Sequence, residues 1–181
     1  MLDATNLPIA LENTRLRLLS ELDADAYAAG TKDEAVRRFA HLPEPDYTPE
    51  SVRRMICDEV ATGLSSGTLA VLALADAETD RFVGSVVLFD VCSEAAEVGF
   101  WIHPGARGEG HAHRGLELAS RFARNSGLRT LTARTLPKNK ASQHCLTTAG
   151  FRETGRGVGT TPAGQRGELF DYQRDLVTAA Q

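Results

Sequence analysis

A chain of 181 residues is the size of one domain around one buried core. Its composition, 42% hydrophobic and 24% charged, is that of an ordinary globular protein, and a formal net charge of −4 is too mild for a nucleic-acid or membrane surface. The N-terminus lacks a basic segment leading into an apolar run, and no stretch of about 18 apolar residues can span a bilayer, so a cytoplasmic location is expected. Cys57, Cys92 and Cys145 are scattered, with no C-x-x-C pair, which suits free thiols in a reducing compartment.

In chain order, residues 1–13 read as an extended arm without firm periodicity, and 14–177 as a single domain. "TRLRLLS" alternates Leu16 and Leu18 with Arg15 and Arg17, the period of a half-buried strand. Ser20 can cap a helical region running to about Ala40 and interruptible at Gly30. Thr48 as N-cap and Pro49 as first helical residue start the next helix, whose Val52, Met55, Ile56, Glu59 and Val60 share one face. Residues 68–75 and 82–91 form a hairpin, and "AAEVGFWIH" is a further strand. Its alternation puts Val98, Phe100 and Ile102 on one face and Glu97, Gly99, Trp101 and His103 on the other. Ala112, Leu116, Ala119 and Ala123, widened by Phe122, make a helical stripe between Gly110 and Asn125. "LRTLTAR" is a strand, "NKASQHCLTTA" a helix stopped at Gly150, and two strands near 151–158 and 168–174 end the chain. The class is α/β or α+β.

The segment "ARGEGHAHRG" joins a buried strand to a helix. Gly108 and Gly110 let a ligand approach the backbone closely, and the first N–H groups of a helix lack internal partners and favour phosphate oxygens. Arg107 adds charge. The P-loop pattern fails for want of G-K-[ST], and the dinucleotide fingerprint fails for want of its glycine spacing.

"RGEGHA", residues 107–112, resembles the R/Q-x-x-G-x-G/A motif of the GNAT acetyltransferase superfamily. "AEVGFWIHPGARGEGHA", "NKASQHCLTTAGF" and "LPEPDYTPE" are similar to the corresponding segments of its RimJ/RimL-type branch, and the resemblance covers roughly residues 14–177. It implies a mixed, mostly antiparallel seven-stranded sheet with flanking helices and splayed fourth and fifth strands. It also implies acetyl-CoA as co-substrate. The pantetheine arm would pair with the backbone near Trp101, Ile102 and His103. The pyrophosphate would lie on amides from Arg107 through Gly108, Glu109, Gly110 and His111 to Ala112. Asn139 would contact the cofactor arm, and Ser142 would donate to the departing thiolate. A homodimer follows by the same analogy.

An attacking amine must be neutral, although free amines are largely protonated at pH 7, so a proton acceptor is needed. Glu97 is the candidate base, on the strand face opposite Val98, Phe100 and Ile102. A backbone N–H near Ile102 can stabilise the oxyanion. Asn139 and Ser142 can equally serve as helix cap and first-turn residue. Cys145 shares a helix face with Ala141 and Ala149 and reads as packing rather than nucleophile. His111 and His113, two apart, diverge on a helix, and with His41, His103 and His144 they suggest no metal site.

The expected activity is direct acetyl transfer to a primary amine, either a protein N-terminus or a small molecule, with no nucleic-acid or membrane partner. The acceptor site is expected from the first two helices and the loop "GRGVGTTPAGQRGE". Two alternatives stand beside it: a succinyl or other acyl donor met by Arg156 or Arg166, and a non-catalytic CoA-binding sensor or interaction module.

Overall fold

The computed structural model describes residues 1–40, 42–160 and 166–176. His41, the centre of the expected acceptor loop at 161–165, and the expected domain end at 177 lie outside the described residues. The rest forms an eight-stranded sheet: β1 (Ile9–Leu11), β2 (Thr14–Leu18), β3 (Ala70–Asp76), β4 (Phe82–Phe89), β5 (Ala95–Ile102), β6 (Thr130–Thr135), β7 (Arg152–Thr160) and β8 (Arg166–Asp175). Their spatial order is β1-β2-β3-β4-β5-β6-β8-β7. Every neighbouring pair is antiparallel except β5 and β6. The count exceeds by one the seven strands the resemblance implies, because the N-terminal arm supplies β1, with Ile9 opposite Leu16. Leu2, buried at the base of the arm, donates its N–H to the Gly67 carbonyl at 3.0 Å.

The helices are α1 (Ala24–Gly30), α2 (Glu34–Phe39), α3 (Pro49–Met55), α4 (Ala61–Ser66), α5 (His111–Asn125) and α6 (Lys140–Thr148). The helical region after Ser20 breaks at Gly30, the interruption the sequence allows, and resumes as α2 where Asp33 adopts an extended backbone and caps it by accepting the Val36 N–H at 3.0 Å. Thr48 caps α3 by accepting the Ser51 N–H, with Pro49 behind it, as the sequence predicts. A π-helical turn (Ile56–Val60) joins α3 to α4; such turns insert one residue and re-aim the side chains around them.

Because side chains alternate along a strand, the sheet carries a core on each face. Leu16, Leu72, Leu74, Val86, Leu88 and Val98 meet Leu116, Ala119 and Phe122 of α5 on one side. Ala73, Phe82 and Trp101 meet Tyr27, Val36, Tyr47 and Val52 on the other. Strand β5 is shared by both cores, with Phe100 and Ile102 leaning on the α5 side as the alternation predicts.

Glycine within α5 costs about 1 kcal/mol relative to alanine, yet Gly115 occupies its middle. The reason is contact: a Cβ there would lie 2.7 Å from Leu74 Cδ1 of β3. The missing side chain lets α5 press on the sheet and fixes where its N-terminus points.

Candidate active site

The parallel pairing of β5 with β6 lasts three residues, Ala95 to Thr130, Ala96 to Leu131 and Glu97 to Thr132. On its other edge β5 stays paired with β4 up to Ile102. From Val98 to Ile102 the backbone groups facing β6 therefore have no strand partner, an open edge of donors and acceptors. The two strands part there around a cleft of about 830 Å³. Trp101, Ile102, Arg107, Gly108, Gly110, His111, Ala112, Asn139 and Ser142 all border the cleft, whereas His103, Glu109 and Glu97 do not.

A 3-10 turn (Pro104–Ala106) leads from β5 to the glycine segment. His103 starts it: its Nδ1 accepts the Gly105 N–H at 3.2 Å and its carbonyl accepts the Ala106 N–H at 2.9 Å. Burial first, then the Arg81 and Arg107 charges, push the His103 imidazole below its ordinary pKa, so it is neutral at pH 7. Gly108 and Gly110 have φ of 84° and 81°, the left-handed region that glycine occupies without strain. A Cβ on Gly110 would strike the Arg114 guanidinium. That group cannot easily yield, because Arg114 donates to the Glu109 carbonyl and to Glu12, each at 2.7 Å.

Gly110 is the N-cap of α5 and brings no side-chain acceptor, so the first-turn N–H groups are left for a ligand. Just inside, His111 is buried, with Nδ1 2.8 Å from Thr14 Oγ1. Its Nε2 is buried without a hydrogen-bond partner among the described residues and lies 3.4 Å from a Glu109 carboxylate oxygen. His113 is exposed, so the two histidines do diverge. Among the described residues no three His, Cys, Asp or Glu side chains gather as a metal site. Arg107 leaves the glycine turn sideways and donates to Asp33 at 2.6 Å; that pairing holds the Asp33 carboxyl below the usual range.

Across the cleft, Asn139 caps α6 by accepting the Ser142 N–H at 3.1 Å. The Ser142 hydroxyl has no hydrogen-bond partner among the described residues. Cys145 is half-buried and packs on the α5-side core; burial pushes its thiol up, away from the reactive thiolate. Arg156 pairs with Glu153 at 2.7 Å and stacks 4.2 Å over Phe170; neither it nor Arg166 borders the cleft.

Glu97 is 6% exposed and sits at the point where the strands part. Arg134 of β6 grips both its oxygens, at 2.9 and 3.0 Å. Burial pushes the Glu97 carboxyl above its ordinary pKa, and Arg134 offsets part of that rise. Arg134 also borders the cleft, so one guanidinium joins the carboxylate to the cavity. Sequence reasoning overlooked Arg134, although the signal was present: "TLTAR" alternates, and Arg134 falls on the same face as Thr132, the register partner of Glu97.

A second cavity, of about 200 Å³, lies on the opposite face of the sheet, under α1, α3 and the π-helical turn. Gly99, Phe100 and Trp101 form part of the wall of both cavities. Tyr27, Tyr47, Met55 and Glu59 also line it, and none was singled out for a site from sequence. Glu59, placed on the inner face of its helix by spacing, is exposed and lines this cavity. The first helices thus wall this cavity.

A splayed pair of parallel strands beside a glycine-capped helix N-terminus is the arrangement that the family resemblance implies. The sequence profile of the acetyltransferase (GNAT) domain matches residues 13–152, and the chain belongs to that family of enzymes. No curated protein sequence matches it. Among solved structures, the ribosomal-protein-S5-alanine acetyltransferase from Vibrio fischeri superposes with a TM-score of 0.78 at 16% identity, over 93% of this chain and 96% of that one. Mycobacterium smegmatis RimJ, in complex with CoA-disulfide, gives 0.75 at 19% identity over 90% and 81%. Spermidine N-acetyltransferase from Vibrio cholerae, in complex with CoA and spermine, gives 0.74 at 16% identity over 91% and 96%. At these identities the likeness establishes the fold. No helix among the described residues is long and apolar enough to cross a membrane.

Proposed function

We propose that the enzyme transfers an acetyl group from acetyl-CoA directly to a primary amine, with both substrates bound at once. The observation that carries this reading is the shared wall at Gly99, Phe100 and Trp101. A thioester lying along the open edge of β5 in the larger cleft and an amine in the smaller cavity meet there, without a covalent enzyme intermediate.

The residues present suit CoA. The backbone of Ile102 continues a strand edge that an amide-bearing pantetheine arm can extend, whereas the His103 N–H is spent on the Val83 carbonyl of β4 at 2.9 Å and Trp101, two residues before it, turns the same way. The turn from Arg107 through Gly108, Glu109, Gly110 and His111 to Ala112 offers amides at the positive end of a 15-residue helix, and the His111 ring, whose Nε2 has no partner among the described residues, borders the same cleft. Asn139 keeps its capping bond and borders the arm. Ser142 has a free hydroxyl to donate to the departing sulfur. Glu97, buried and with a raised pKa, takes the proton from the amine through water, while Arg134 keeps it aimed and ionised.

A screen of amines and of peptides with varied N-termini, monitoring free CoA release with acetyl and succinyl donors in parallel, tests the reading. The expected outcome is release that depends on an amine and favours the acetyl donor. Acetyl-CoA binding by calorimetry with no turnover on any amine makes the chain a binding module instead.

A further inference from the structure

The smaller cavity has a direction. Starting at the shared wall, the Trp101 ring meets Tyr27 edge-on at 5.1 Å between centroids, and Tyr27 meets Tyr47 in the same way at 5.6 Å. At the Tyr47 end the chemistry changes. Burial pushes the Tyr47 hydroxyl up to about 12, and the charges of Glu44 and Glu59 add to the rise, so both carboxylates act on that one point. Glu59 lines the cavity from the exposed π-helical turn, where the extra residue re-aims its side chain.

Between the two ends the walls are apolar or aromatic: Met55, Val60, Leu69, Val71 and Val87, besides the rings. The polar atom on the floor, Ser85 Oγ, is spent on the Leu72 carbonyl at 2.9 Å. A peptide backbone threaded through this passage would bury amides without partners, at a cost of about 1–3 kcal/mol for each. Methylenes would not. Among the described residues no Lys, Arg or His lines the cavity, so an acidic acceptor finds no counter-charge there and meets Glu59 instead.

We propose that the acceptor is a small aliphatic diamine or amino-guanidine, one amine at the shared wall, its methylenes along Trp101 and Tyr27, and its far cation between Tyr47 and Glu59. This rests on the transferase reading and names its acceptor class. The far cation gains the ring face of Tyr47 and the carboxylate of Glu59 together.

Three five-carbon probes test it: cadaverine, pentylamine and aminovalerate. With saturating acetyl-CoA, cadaverine is expected to exceed pentylamine by roughly fivefold to tenfold in kcat/KM, through KM, with aminovalerate the poorest. Glu59→Gln, an exposed substitution, is expected to abolish the cadaverine advantage. Binding is read separately, because Trp101 is the chain's single tryptophan and stands in the cavity wall. Its fluorescence in the CoA-loaded protein should titrate at a lower concentration of cadaverine than of pentylamine. Transfer or fluorescence that treats the two alike, or an advantage that survives Glu59→Gln, overturns the inference and leaves acetyl transfer standing. A fluorescence preference for cadaverine without any transfer supports the inference and overturns the transferase reading.

Discussion

The two sides of β5 present different kinds of group. On the β6 side the unpaired groups are main-chain: an open strand edge and a helix N-terminus reached through two left-handed glycines. On the α1 side the groups are side chains gathered from positions 27, 47, 59 and 101. A backbone site depends on chain conformation, which a short motif can encode. A side-chain site depends on which helices pack over the sheet, so its residues can vary while the fold stays. One fold can therefore keep its donor and change its acceptor.

Glu97 is where that contrast is easiest to break, because it stands at the parting of β5 and β6 while its anchor Arg134 borders the cleft. Glu97→Gln is expected to lower kcat by about 100-fold at neutral pH, the lower range for loss of a general base, with little change in acetyl-CoA affinity by calorimetry. The base must be ionised to accept a proton, and its pKa is raised, chiefly by burial. Activity should thus fall with acidification through a pH above the ordinary carboxylate range. Arg134→Gln removes the opposing interaction and should move that limb to still higher pH. Unchanged kcat and an unmoved limb remove Glu97 from the chemistry.

The backbone side is tested at Gly110. Alanine there is strained at φ of 81° and collides with a pinned Arg114. Strain of this kind costs about 1–3 kcal/mol, so acetyl-CoA affinity should drop roughly 10- to 100-fold, measured by calorimetry, with far-ultraviolet circular dichroism retained. Gly108→Ala meets open space and bears only the strain of its φ, so it should cost less. Equal losses at the two positions would mean that conformation alone, and not the Arg114 contact, sets the turn.

These positions also mark what the chain disclosed before it was folded. The alternation of β5, the caps at Thr48 and Asn139, and the glycine turn are local, and each was legible because a few neighbouring residues decide it. The cleft came from the family resemblance that these segments carry. Strand β1 was not legible, since three residues paired with a neighbour carry too little periodicity. The Tyr27–Tyr47–Glu59 wall was missed for another reason: it owes its position to contacts between residues distant in sequence. The cap at Asn139 shows the converse limit. Its bond to the Ser142 N–H satisfies local geometry completely, so a role toward a ligand has to be established by function.

Gly115 couples the two sides through packing, and its effect is the smallest and most discriminating. In an ordinary helix interior Gly→Ala stabilises by about 1 kcal/mol. Here the new methyl would sit 2.7 Å from Leu74 Cδ1 in a fully buried layer, and overpacking a core costs about 1–3 kcal/mol. Gly115→Ala is therefore expected to destabilise by about 1 kcal/mol net, read by denaturant midpoint at unchanged slope. In a Leu74→Val background, which removes the opposing methyl, the same substitution should stabilise, a reversal that a double-mutant cycle isolates. Relief of the collision by lifting α5 away from β3 would also displace the first turn four residues upstream. The single variant should then bind acetyl-CoA a few-fold more weakly and the double variant should recover. Stabilisation in the unmodified background would mean that the helix has room to spare, and that the closeness of α5 to the sheet does not fix the direction of its N-terminus.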